Sequence, residues 1–211
     1  LTINCLGATS LIISGNNGNS ARDFNIFNIA TGGNLSISGV TVSGAKFSSS
    51  GGAFNNQGTL AVSNSTLSGN TANNGGGIFN NPGATLTVSN SSFSGNNSTF
   101  GGGIFNGGTL TVSNSTLSNN TAVNNGGGIW NSSATFTITN STISGNTANI
   151  DGGGIRNYGS LHVTASTIST NTAKYGGGIA GGVGGAVLGS KIAQKIPGLG
   201  TLAGGMMAQM T

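Results

Sequence analysis

The stretch NNGGGIFNN, at residues 73–81, is one copy of a unit that the chain repeats along its length. Aligned on Ala53, Ile78, Ile104, Ile129, Ile155 and Ile179, successive copies stand 24–26 residues apart. Self-similarity at a fixed period of this size belongs to solenoids, propellers and arrays. The period also settles what the composition means. Gly reaches 41 of 211 residues and charged residues only 4%, which would signal low complexity in an aperiodic chain. A kept period instead requires each copy to occupy an equivalent place in a fold.

Within a unit, GGGIFN leads through a short linker to a stretch such as TLTVSNST and then to LSGNTA. The middle piece alternates polar and apolar residues, the pattern of a strand buried on one face. Gly and Asn bound it as turn residues. No unit holds a run of about 10–12 helix formers, which argues against leucine-rich and helical repeats. The reading is all-β: a single right-handed parallel β-helix over residues 1–179, with about seven coils of about 25 residues and about three short strands each. Each strand pairs with its equivalent one coil away, at roughly 4.8 Å. Leu60, Leu86, Leu110, Phe136 and Leu161 make one apolar column. Val62, Val88, Val112, Ile138 and Val163 make a second, and Leu67, Phe93, Leu117, Ile143 and Ile168 a third. With the Ile column they fill a cylinder in which each coil buries its apolar face only against a neighbour.

Asparagine recurs in three columns at strand ends: Asn55, Asn80, Asn106, Asn131 and Asn157; Asn64, Asn90, Asn114 and Asn140; and Asn70, Asn96, Asn120, Asn146 and Asn171. Asn tolerates left-handed turns, and stacked amides bond to one another along an axis. All three columns are expected to be structural ladders, the second weakened where Ala165 interrupts it. That column also matches N-x-[ST], a match read as incidental because the Asn recurs at a fixed turn.

Two stripes are expected to face outward. The slot after the aligned Ile holds Phe27, Phe54, Phe79, Phe105, Trp130 and then Arg156, and strand alternation turns it away from the core. Exposed together, Phe54, Phe79, Phe105 and Trp130 would form an apolar stripe suited to sugar rings, another solenoid or a surface. A bend or a covering loop would bury it instead. Thr85 and Thr87, Thr109 and Thr111, and Thr135 and Thr137 form a Thr-x-Thr face that resembles β-helical ice-binding proteins, bounded by Ala61 and His162. Thr is also simply a good solvent-facing strand residue.

GGGI together with F-x-x-N-like segments, such as Phe93-Ser94-Gly95-Asn96, resembles the repeats of bacterial polymorphic outer-membrane proteins. More broadly, LAVSNSTLSGNTANNGGGIFN, at residues 60–80, is similar to the secreted bacterial right-handed parallel β-helix repeat proteins. The resemblance covers residues 1–180, most clearly 51–180. It implies an extracellular or bacterial cell-surface location and a role in display, adhesion or extracellular structure. Members usually carry a signal peptide and a C-terminal barrel or anchor. Neither is visible here, so the start is expected to be a processed terminus or a cut through a longer protein. The expected function is a non-enzymatic structural or adhesive solenoid, with end-to-end stacking into a homo-oligomer or fibre as its self-association, since an open head-to-tail contact does not close. The alternative is a glycan- or ice-binding module using one of the two stripes.

A polysaccharide-active enzyme ranks third. Glycoside hydrolysis generally uses paired carboxylates, at most ~9.5 Å apart. The chain has no Glu, and Asp23 and Asp151 are its two acids, about five coils and so roughly 25 Å apart along the axis. Two acids cannot furnish the many oxygen ligands of calcium. His162 lies on the polar face of a strand with no acid partner in the adjacent coil. Asp151 and Arg156 flank one GGGI turn, and an exposed pair there contributes under ~1 kcal/mol. The glycine triplets lack the Lys-Ser/Thr of a phosphate loop. No catalytic residue, cofactor or metal is expected. The six cations behind the formal charge of +4 are scattered, which speaks against a nucleic-acid partner. Cys5 is alone, which excludes an intrachain disulfide and a Cys-based zinc site, and it reads as a small buried hydrophobe.

Residues 180–211 break the pattern. Gly181, Gly185 and Gly189, then Gly200 and Gly204, recur at four-residue spacing, which on a helix makes a smooth packing face. Each apolar piece is shorter than the ~20 residues of a membrane span. Three readings stay open: a cap over the last coil, an assembly contact with another subunit, and a helical hairpin in contact with a membrane.

Overall fold

The computed structural model describes residues 1–5, 11–15 and 24–181, together with the strands Ala186–Leu188 and Ile192–Ala193. Each named strand pair is parallel, and the chain coils as a β-solenoid of about seven turns. Sheet I has seven strands, from Phe27–Ile29 through Ile78–Asn80 to Ile179–Gly181. Sheet II has eight, from Thr2–Asn4 through Thr85–Ser89 to Ala186–Leu188. Sheet III has eight, from Leu11–Ser14 through Ser92–Ser94 to Ile192–Ala193. Sheet IV has five, from Lys46–Ser50 through Asn97–Phe100 to Thr147–Ala148. A central coil thus carries four strands rather than three. The extra one is the Thr-Ala segment, whose single inward position holds a small residue (Ala72, Ser98, Ala122 or Ala148, all buried) and so gives no apolar alternation to read.

The apolar columns stack as the alternation predicts. Leu60, Leu86, Leu110, Phe136 and Leu161 are consecutive partners in sheet II, as are Val62, Val88, Val112, Ile138 and Val163. They join the sheet I isoleucines and the Leu67–Ile168 column in one cluster running the length of the cylinder.

One register differs from the sequence reading. Phe54, not Ala53, pairs with Ile78. Ala53 takes the place of the third glycine: the amides of Ala53 and Phe54 both donate to Gly77 O, as those of Gly77 and Ile78 donate to Gly103 O. Phe54 therefore points into the core, fully buried, and stacks on Phe27 with ring centroids 4.8 Å apart. The same shift puts Asn56 in line with Asn80 and moves Asn55 into the outward slot beside Phe79.

The glycine triplet is a corner between sheets IV and I. Gly75 takes φ = 62°, a left-handed value that costs little only without a Cβ. Gly76 has a different constraint. A Cβ there would lie 2.5 Å from Asn97 O and 2.6 Å from Gly102 O, because the next coil's backbone lies directly against it.

Among the described residues no helix occurs, and none is long and apolar enough to cross a membrane. The helical reading of the tail does not hold where the tail is described. Val187 pairs with Leu161, and Ile192 with Ser166, so both strands extend existing ladders. Gly181 ends the last strand of sheet I. Gly185, Gly189, Gly200 and Gly204 lie outside the described residues.

Candidate functional site

Two of the asparagine columns are buried amide ladders. Along the corner after sheet I, Asn56, Asn80, Asn106 and Asn131 each donate Nδ2 to Oδ1 of the next coil's Asn, ending at Asn157, over 2.7–2.8 Å. In the second, Asn70, Asn96, Asn120 and Asn146 donate in the same direction, ending at Asn171, over 2.9–3.0 Å. Each of these also donates to a backbone carbonyl, as Asn120 does to Phe93 O; Oδ1 of Asn96, Asn120 and Asn146 accepts the backbone N–H of the previous coil's Asn, and Oδ1 of Asn70 accepts that of Ala45. A buried amide has four bonding sites to satisfy, and the stack supplies partners for them.

The column Asn64, Asn90, Asn114 and Asn140 is different. These residues are exposed, hold φ of 48–49° and form no amide-to-amide chain; Asn64 Nδ2 reaches only Ser38 Oγ, at 3.3 Å. Their task is the left-handed turn, which explains why Ala165, also at φ = 48°, can follow them. The third ladder is one that the sequence reading missed. Ser65, Ser91, Ser115, Ser141 and Ser166 are buried. From Ser65 to Ser141, each backbone N–H donates to the next Ser Oγ. Each Oγ–H donates to the carbonyl two residues back, over 2.6–2.8 Å. Their recurrence after the turn residue, as Asn-Ser-Thr at Ser65, Ser115 and Ser141, was the available signal.

The Thr face is present. Thr85 and Thr109 are partners, as are Thr87, Thr111 and Thr137, on the outer side of sheet II, where Thr85, Thr87, Thr109, Thr111 and Thr135 are exposed and Thr137 is half-buried. Thr59 pairs with Thr85 at one end, beside Ala61, and His162 pairs with Thr137 at the other. His162 is exposed and meets Thr164 Oγ1 at 3.1 Å.

The aromatic stripe is shorter and more elaborate than expected. Its outward column runs Asn55, Phe79, Phe105, Trp130, Arg156 and Ala180. Phe54 is lost to the core, leaving three aromatics that are half-buried. Phe79 and Phe105 lie 4.7 Å apart between centroids, and Trp130 meets Phe105 edge-on at 4.5 Å. Phe100, from the end of sheet IV, packs on Trp130 at 4.5 Å, and Tyr158 approaches it at 6.4 Å. Arg156 then continues the run. Its guanidinium donates to Tyr158 Oη at 2.7 Å, lies 4.2 Å from that ring's centroid, and stands 3.7 Å from the Asp151 carboxylate. Two donors in this group, Trp130 Nε1 and Arg156 Nε, are buried without an acceptor.

Among the described residues, no three His, Cys, Asp or Glu side chains gather to hold a metal ion. Comparison with known proteins gives no matching family model, no matching curated protein and no matching solved structure.

Proposed function

We propose that the protein is a non-enzymatic structural or adhesive rod, extracellular or displayed on a cell surface like the bacterial β-helix repeat proteins it resembles, and able to stack end to end. The observation that carries this reading is the set of three continuous neutral ladders, two of Asn and one of Ser, buried beside an unbroken apolar core. Such an interior fixes the spacing of every coil and leaves a Ser/Thr/Asn exterior as a regular scaffold. Electron microscopy of the purified protein, paired with retention of cells by the immobilised chain, tests the two halves of the reading. Rods that lengthen with protein concentration support assembly, and isolated rods at every concentration remove it. Failure to retain cells or their surface polymers removes the adhesive role.

A second reading, a glycan-binding module, is favoured by the half-exposed run Phe79, Phe105 and Trp130, because sugar rings pack their C–H faces on aromatic faces. Ice binding by the Thr face is the remaining alternative, and absence of thermal hysteresis at high protein concentration excludes it.

A further inference from the structure

We infer that the corner between sheets IV and I, in the C-terminal half of the solenoid, is a binding site for an acidic polysaccharide, one that carries carboxylates on its sugar rings. The inference rests on the adhesive reading and names its ligand class. Of the charged side chains among the described residues, Asp151, Arg156 and Lys174 gather at this corner, while Lys46 lies coils away. Exposed apolar side chains form two groups: one at the N-terminal end, with Leu1, Leu11, Ile12 and Phe24, and one here, where Val123, Ile150, Tyr158 and Tyr175 are each at least 40% exposed. Asp151 pairs with Asn125 in one direction and with Tyr175 in the other. Lys174 Nζ lies 5.1 Å from the Tyr175 ring centroid. From Lys174 and Tyr175 the line continues through Asp151, Arg156 and Tyr158 to Trp130.

Among the described residues the rest of the exterior is almost uncharged, so an ionic and aromatic band here is a local departure from the repeat. Large exposed aromatic groups rimmed by polar ones mark interaction sites. The ligand's chemistry follows from three features. Trp130, Tyr158 and Tyr175 stand on successive coils, a spacing that suits a chain of rings rather than a single small molecule. The cations outnumber the acid by one, and the whole chain carries +4, which favours an anionic partner. The exposed Lys174 ammonium and the Tyr175 ring beside it, 5.1 Å from Nζ to the centroid, pair a cation with an aromatic face, which suits a carboxylate carried on a sugar ring. A nucleic-acid strand also joins rings to anions, but its binding draws on clustered Lys and Arg at many phosphates, and two cations are too few.

Affinity electrophoresis of the full chain in gels containing polygalacturonate tests this. The comparison arms are neutral dextran and a single-stranded oligonucleotide. Polygalacturonate should retard the wild type, dextran should not, and the effect should fade at about 0.5 M salt, where charges are screened over a few ångströms. Tyr175→Ser should weaken binding about tenfold, the size of one good contact, and Lys174→Gln about threefold. Both side chains are exposed, so circular dichroism should show an unchanged fold. Equal retardation by dextran, tighter binding to the oligonucleotide, or unchanged binding in both variants would each overturn the site. If cells are retained by the wild type and equally by Tyr175→Ser, the adhesive reading stands and this site falls.

Discussion

Ala165 holds φ = 48°, the value that Asn64, Asn90 and Asn114 take at the same turn in earlier coils. A residue with a Cβ pays about 1–2 kcal/mol for that conformation, and Asn pays less because its short polar side chain bonds locally. Ala165→Gly should therefore raise stability by about 1 kcal/mol, seen as a rise in the thermal midpoint of about 2–4 °C. The glycines make the opposite case, and they separate two causes. Gly69 has φ = 62° and nothing within 4 Å of a built Cβ, so Gly69→Ala should lose only the conformational term, about 1–2 kcal/mol. Gly76→Ala would push a methyl into backbone oxygens at 2.5 and 2.6 Å, and one coil must move away from the next. Its loss should exceed that of Gly69→Ala, at about 3 kcal/mol or more. Chemical denaturation of the two variants side by side checks the order, and equal losses would refute the close-approach account.

At the scale of one strand and its turns, asparagines that look alike in the sequence have unequal roles. Asn120 Oδ1 accepts from Asn96 N and Nδ2, and its own Nδ2 donates to Phe93 O and Asn146 Oδ1. Asn120→Ala removes these bonds and strands buried partners on both sides, so it should cost about 3 kcal/mol or more. Asn114→Ala should cost about 1 kcal/mol, because that exposed residue contributes a turn conformation rather than a ladder. Denaturant midpoints of the pair decide this, and a similar loss in both would mean that the exposed column also bonds. The contrast explains what was legible beforehand. The core columns could be read because alternation and a period of 24–26 residues are each visible in one dimension. Burial at a turn is not, since Asn suits a left-handed corner and a buried ladder for different reasons. The Ser ladder was hidden for the same reason inside Asn-Ser-Thr. The Phe54 register was hidden by a substitution: Ala53 stands where other coils have their third glycine, and an apolar residue after two glycines read as the start of the strand. The aromatic corner was half legible. Its column showed in the repeat, but Phe100 and Tyr158 reach it from other slots, which only the coil's cross-section reveals.

For the whole molecule, the interior is held by neutral groups and neighbours alone. Asp151–Arg156 is the one ion pair among the described residues, partly open to solvent, so salt should barely change stability, by under ~1 kcal/mol between low and high concentration. The stronger consequence concerns modularity. Each coil touches only the coils beside it, so stability is close to a sum over coils and their shared faces. Ile78 pairs with Ile104, and Phe79 with Phe105. Deleting residues 79–104 therefore joins Ile78 to Phe105 with every column still in line. Leu60 would then face Leu110, and Asn70 would face Asn120. This shortened chain should fold to the same strand content by circular dichroism and unfold cooperatively, at a somewhat lower midpoint, because one face-to-face contact is gone. Deleting only residues 79–91 removes the same kind of sequence but half a turn of the coil. It sets the sheet III strand of one coil against the sheet I position of the next, and apolar side chains turn toward water. That variant should aggregate or stay unfolded. If both deletions fold equally well, the ladders do not dictate register; if both fail, the coils are not independent units.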